Sequence, residues 1–177
     1  MRWRAPAACW PDLPQRQAED GVKFRPMALQ DLYQQIILEH NRQPRHFGRL
    51  AGATHSARGQ DALCGDDVLV ELRVCGGIVE AAGFSGEACA ITTASASMLS
   101  DWLGGRSIED FTSAFATFRQ LLSDASVGDS EDLGEINALR AVSDYPARVR
   151  NALLPWRAVH KALTRCATSP AVQGGEG

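Results

Sequence analysis

The chain has 177 residues, a net charge of −3, 45% apolar residues and 22% charged residues. Those figures fit one folded domain of ordinary size rather than a disordered or collagenous chain. No apolar run approaches the ~20 residues of a membrane-spanning helix, and the acidic balance and 7% aromatic content argue against nucleic-acid binding by phosphate contacts or base stacking.

Residues 1–27 hold half of the eight prolines (Pro6, Pro11, Pro14, Pro26) and charges of both signs. They read as a disordered extension or as sequence upstream of a true start at Met27, without the apolar core of a secretory signal. Residues 28–165 read as the folded domain and 166–177 as a flexible tail. Leu29, Leu32, Tyr33, Ile36 and Ile37 share one helical face, which predicts an amphipathic helix ending near Asn41, ahead of Pro44. A weak strand is expected around Thr54–Gln60. Val68, Val70, Leu72 and Val74 alternate with Leu69, Glu71 and Arg73, the pattern of a half-buried strand. Gly76-Gly77 turns it into a hairpin partner at Ile78–Phe84.

The period then changes to that of a helix over Ala90–Leu103, stopped by Gly104-Gly105. Ser107 caps a further helix with Ile108, Phe111, Phe115, Phe118 and Leu122 inward. A polar loop (Ser123–Asp132), a short helix (Leu133–Val142) and a helical segment (Ser143–Leu163) follow. Pro155 should kink or restart that last segment. One helix, an antiparallel meander of about three strands and then helices alone define an α+β fold, a small antiparallel sheet with helices on one face. No glycine-rich phosphate loop is present.

Five cysteines form an odd set (Cys9, Cys64, Cys75, Cys89, Cys166), too few for a disulfide scaffold of this length. They fit a reducing compartment, the cytoplasm, with one or two special thiols. Cys64 lies in Leu63-Cys64-Gly65-Asp66, just before the central strand. The glycine lets the thiol and the carboxylate turn toward one cation. Cys89 lies at the start of the Ala90–Leu103 helix, whose unpaired N–H groups favour a thiolate. The hairpin between them runs out and back, so Cys64, Asp66 and Cys89 can share one end of the sheet. Two thiolates and a carboxylate suit zinc or iron. The competing reading is ordinary thiols, since two cysteines some distance apart are weak evidence for a metal. Cys75 at the hairpin turn, and Cys9 and Cys166 in the tails, carry no specific role. His40, His46, His55 and His160 are scattered and read as surface residues, and Ser95 and Ser97 as packing residues.

These segments together resemble a known family. Leu32-Tyr33-Gln34-Gln35-Ile36-Ile37-Leu38-Glu39-His40, followed by Asn41-Arg42-Gln43-Pro44-Arg45, is similar to its N-terminal helix. Cys64-Gly65-Asp66 resembles its first metal motif, and Phe84-Ser85-Gly86-Glu87-Ala88-Cys89-Ala90-Ile91 with Ala94-Ser95-Ala96-Ser97-Met98 its second. The family is that of the iron–sulfur assembly proteins IscU and the N-terminal part of NifU. The SufU branch is nearest, by the length of Phe111–Leu139 and by Tyr145-Pro146-Ala147-Arg148-Val149-Arg150.

The resemblance implies a site of three cysteines and an aspartate. Cys64, Asp66 and Cys89 match three of these, and the third cysteine should follow Arg150, where this chain has Asn151. An amide oxygen is a poorer ligand than a thiolate for zinc or iron, so weaker metal retention is expected, with Arg148 or Arg150 neutralising the site's charge. The resemblance further implies zinc or iron and a transient iron–sulfur cluster as cofactors. It implies a SufS-like cysteine desulfurase and other assembly proteins as partners, with Arg148 docking the desulfurase. Cys64 would accept sulfur, as a scaffold or as a zinc-dependent sulfurtransferase. A non-catalytic desulfurase-binding protein with a degenerate metal site is the alternative.

Overall fold

The computed structural model describes residues 29–166. The expected extension, with Cys9, and the tail beyond Cys166 lie outside the described residues. Helix α1 (Leu29–Arg42) precedes strands β1 (His55–Asp61), β2 (Asp66–Cys75) and β3 (Ile78–Glu87). Helices α2 (Ala90–Leu103) and α3 (Ile108–Ser123), a 3-10 segment (Glu131–Val142) and helix α4 (Pro146–Cys166) follow. The strands form an antiparallel sheet in the order β1-β2-β3, with Asp61 opposite Asp66 and Cys75 opposite Ile78. Gly76 (φ +56°) and Gly77 (φ +80°) supply the two left-handed residues of the tight β2–β3 hairpin.

Val68, Val70 and Leu72 alternate inward and are sealed from water. Helices α2 and α4 pack on this face. Most of α2 is buried, from Thr92 to Leu103, so it forms the centre of the molecule. Ser107 caps α3 as its spacing predicts. Its hydroxyl accepts from the Asp110 N–H, and the Asp110 carboxylate accepts from the Ser107 N–H. That second bond holds the Asp110 carboxyl below its ordinary range. Trp156 of α4 is fully enclosed and stacks on Phe118 at 4.5 Å, with Phe111 and Phe115 alongside. No helix among the described residues is long and apolar enough to cross a membrane.

Three expectations change. Helix α4 is one continuous element through Pro155. A proline removes the N–H that would bond the carbonyl four residues back, and that carbonyl belongs to Asn151. The Thr92 hydroxyl of α2 lies 3.2 Å from it, and Ser95 Oγ donates to the next carbonyl, that of Ala152, at 2.6 Å. The carbonyl that the proline frees thus lies against the Thr92 hydroxyl, and the helix runs on without a restart. Next, the short helix after the loop is a 3-10 segment that breaks at Gly134, whose φ of +50° and ψ of −124° are not helical. Finally, His40 is not a surface residue. It is 2% exposed, between Ser97 Oγ at 2.8 Å and Glu135 Oε2 at 3.1 Å.

Candidate functional site

The β1–β2 turn carries Cys64. Asp61 organises it, its Oδ1 accepting from the Leu63 N–H at 2.9 Å while its carbonyl accepts from the Gly65 N–H at 2.8 Å. Gly65 has φ +73°, the left-handed conformation that closes so short a turn. The bond from the Leu63 N–H, aided by Arg150 and the Cys64 N–H, holds the Asp61 carboxyl below its usual range. Arg150 pairs with Asp61 at 3.5 Å. It therefore ties α4 to the turn, and its charge is spent there rather than on the two sulfurs. The turn leaves Cys64 exposed.

Cys89 is the N-cap residue of α2, in extended backbone (φ −67°, ψ 165°), and is half-buried. Gly86 makes that entry possible. At φ +128°, a Cβ on it would lie 2.0 Å from the Asp67 carbonyl oxygen, so no other residue fits. Asp66, 3% exposed, faces the start of α2. Its Oδ1 accepts from the Cys89 N–H at 2.7 Å and its Oδ2 from the Thr92 hydroxyl at 2.5 Å. A carboxylate at a helix N-terminus meets unpaired N–H groups and the positive end of the helix dipole. The single Thr92 proton faces two acceptors, Asp66 and the Asn151 carbonyl.

Asn151, 5% exposed, closes the cluster from α4. Its Nδ2 donates to Cys64 Sγ at 3.4 Å and to Cys89 Sγ at 3.3 Å. Among the described residues its buried Oδ1 has no hydrogen-bond partner, at an ordinary cost of about 1–3 kcal/mol. A half-turn of the amide would exchange the two atoms. Arg148 stands apart, exposed on the first turn of α4. Its guanidinium lies 4.5 Å above the Tyr145 ring, and it forms no ion pair among the described residues.

The fold thus brings Cys64, Asp66, Cys89 and Asn151 to one end of the sheet. A closed zinc site takes four converging donors, each at 2.0–2.3 Å. Here two sulfurs converge, the Asp66 oxygens are committed to α2, and the amide N–H groups fill the space between the sulfurs. Among the described residues no three His, Cys, Asp or Glu side chains group as metal ligands do. As arranged, the residues do not fit a closed zinc site. They fit a pair of sulfurs held by hydrogen bonds, one open to solvent. Thr92 escapes sequence reasoning because its role arises from α4 packing against α2, whereas Asp61 makes a local turn with Leu63 that the sequence pattern left unmarked. The i−4 relation of Asn151 to Pro155 was the one visible signal for Thr92.

A small antiparallel sheet thus carries one cysteine on its β1–β2 turn and a second at the start of the following helix. The chain belongs to the family of the NifU-like N terminal domain, whose pattern matches residues 32–152. It is 37% identical over 137 residues to the "Zinc-dependent sulfurtransferase SufU" of Bacillus subtilis, covering 77% of this chain and 92% of that protein. It is 30% identical over 142 residues to the "Iron-sulfur cluster assembly scaffold protein IscU" of Thermotoga maritima, covering 78% and 97%. The crystal structure of a NifU-like protein (N-terminal) from Brucella abortus superposes with a TM-score of 0.72 at 25% identity, covering 79% of this chain and 97% of that one.

Proposed function

We propose that this protein is an iron–sulfur cluster assembly factor that accepts sulfane sulfur on Cys64 from a cysteine desulfurase. One observation carries the reading: an exposed thiol and a half-buried thiol are held by the two N–H groups of one buried amide. The relatives named for sulfur transfer and for cluster scaffolding support it. The Cys64 thiolate attacks the outer sulfur of the desulfurase persulfide. That S–S bond breaks, a new one forms on Cys64, and the desulfurase cysteine leaves as thiolate. No net oxidation occurs. The Asn151 N–H groups stand where sulfur bears its negative charge. Cys89 holds the second position for iron or a nascent cluster, the cargo of the assembly, with Asp66 and Asn151 beside it. The exposed Arg148 is the docking residue for the desulfurase. Free thiols are kept in a reducing compartment, so the protein works in the cytoplasm.

Incubation with a cysteine desulfurase and sulfur-labelled cysteine tests the reading. Label should appear on the wild-type chain and vanish in Cys64→Ser. Equal labelling of that variant would refute the role of Cys64. Zinc analysis of the same preparation separates sulfur acceptor from zinc protein. Less than one zinc per chain is expected, rising in Asn151→Cys. A second reading, a desulfurase-binding protein without sulfur transfer, is favoured by the amide that stands between the sulfurs. Desulfurase binding with no label on either protein form would establish it.

A further inference from the structure

Seven described arginines pair with carboxylates. Arg119 of α3 and Arg157 of α4 do not. Both are exposed and neither has an ion pair among the described residues. They flank one groove between α3 and α4, joined on its rim by His160, while Phe115, Ala116 and Leu153 form an apolar floor. Two adjoining hollows of about 460 and 500 Å³ share Ala116, Arg119 and Arg157, so the depression is continuous. Among the described residues no carboxylate lines it. The chain as a whole carries a net charge of −3, so this cationic rim is a local feature.

We propose that the groove docks an acidic amphipathic helix of a partner protein. On α3 the lining runs from Thr112 to Ser123, which at 1.5 Å per residue is roughly 16 Å, three helical turns. A helix laid there would place its apolar face on Phe115 and Leu153 and carboxylates against Arg119, Arg157 and His160. A small anion would occupy one arginine pair and leave the floor bare, so length and floor together favour the helix. Leu153 and Asn151 are about 200° apart around α4. A partner in the groove therefore leaves Cys64 and Cys89 accessible to a second protein.

The test uses the full chain and a labelled synthetic three-turn peptide with leucines on one face flanked by glutamates. Fluorescence anisotropy should show binding that weakens roughly tenfold or more in Arg119→Ser/Arg157→Ser and with the glutamine version of the peptide. Binding should largely survive in Arg119→Lys/Arg157→Lys, which keeps the charge, and amide NMR shifts should centre on residues 112–123 and 149–160. No binding at millimolar peptide would overturn the proposal, as would equal binding of the glutamine peptide or shifts centred on Arg148 or α1. Displacement of the peptide by an equal concentration of inorganic phosphate would assign the groove to a small anion instead. Self-association of the chain that disappears in the double serine variant would assign it to a second copy.

Discussion

Helix α2 carries two polar clusters, and they are built differently. At its first turn Thr92 meets Asp66 and the Asn151 carbonyl, beside two sulfurs, and the Asn151 Oδ1 lacks a partner among the described residues. Beyond it, Ser97 Oγ meets His40 Nδ1 at 2.8 Å and accepts from the Arg45 N–H at 2.8 Å, while His40 Nε2 meets Glu135. Arg45 also bonds Glu135 and Asp101. Serine, histidine and glutamate here share the residue types of a hydrolytic triad, but with the two imidazole nitrogens exchanged. Ser97 is also sealed from solvent and its oxygen is already in use. No substrate can reach it, so this second cluster is a latch joining α1, α2 and the 3-10 segment. The latch closes around a buried hydroxyl and imidazole that are both hydrogen-bonded, whereas the first cluster sets a buried amide against an exposed nucleophile.

The contrast is broken most directly by His40→Ala. It removes a buried hydrogen bond to Ser97 and a part-buried one to Glu135 and leaves a cavity, so stability to urea should fall by about 3 kcal/mol. Sulfur acceptance per folded molecule should be unchanged. A loss of sulfur acceptance in soluble, folded His40→Ala would make the latch part of the site. Asp66→Ala should cost about 2 kcal/mol, because the Cys89 N–H and the Thr92 hydroxyl lose a charged acceptor. Here sulfur acceptance should fall as well, since the turn bearing Cys64 loses its hold on the start of α2. If Asp66→Ala kept full labelling while His40→Ala lost it, the assignment of the two clusters would be reversed.

Much of this was legible in the residues themselves. The alternation of Val68, Val70 and Leu72, the Gly76-Gly77 turn, the Ser107 cap and the bounds of α2 follow from local periods and caps. The meeting of Cys64, Asp66 and Cys89 at one sheet end follows from the hairpin. The position of Asn151 beside both sulfurs does not, because α4 reaches them only through its packing on α2 and β1. The burial of His40 was hidden for a similar reason. It falls on the inward face with Tyr33 and Ile37, but its partners lie 57 and 95 residues away. Pro155 misleads because a local rule predicts a break, whereas the freed Asn151 carbonyl meets the Thr92 hydroxyl of another helix and α4 runs on. The commitment of Asp66 to α2 is likewise set by where Cys89 enters its helix, a matter of backbone path rather than of spacing.

The finest test of the site cluster is a thermodynamic cycle on Thr92 and Pro155. Thr92→Val keeps the shape but leaves Asp66 Oδ2 and the Asn151 carbonyl without their hydroxyl partner, which should cost about 1.5 kcal/mol in urea unfolding. Pro155→Ala restores an N–H four residues after Asn151, so that carbonyl regains a partner within α4. In the Pro155→Ala background Thr92→Val then orphans only the Asp66 oxygen, and its cost should drop by about 0.5–1 kcal/mol. Additivity within about 0.3 kcal/mol would show that the Thr92 proton serves Asp66 alone. Coupling of the expected size would show that the proline's freed carbonyl is part of what holds Asn151 against the two sulfurs.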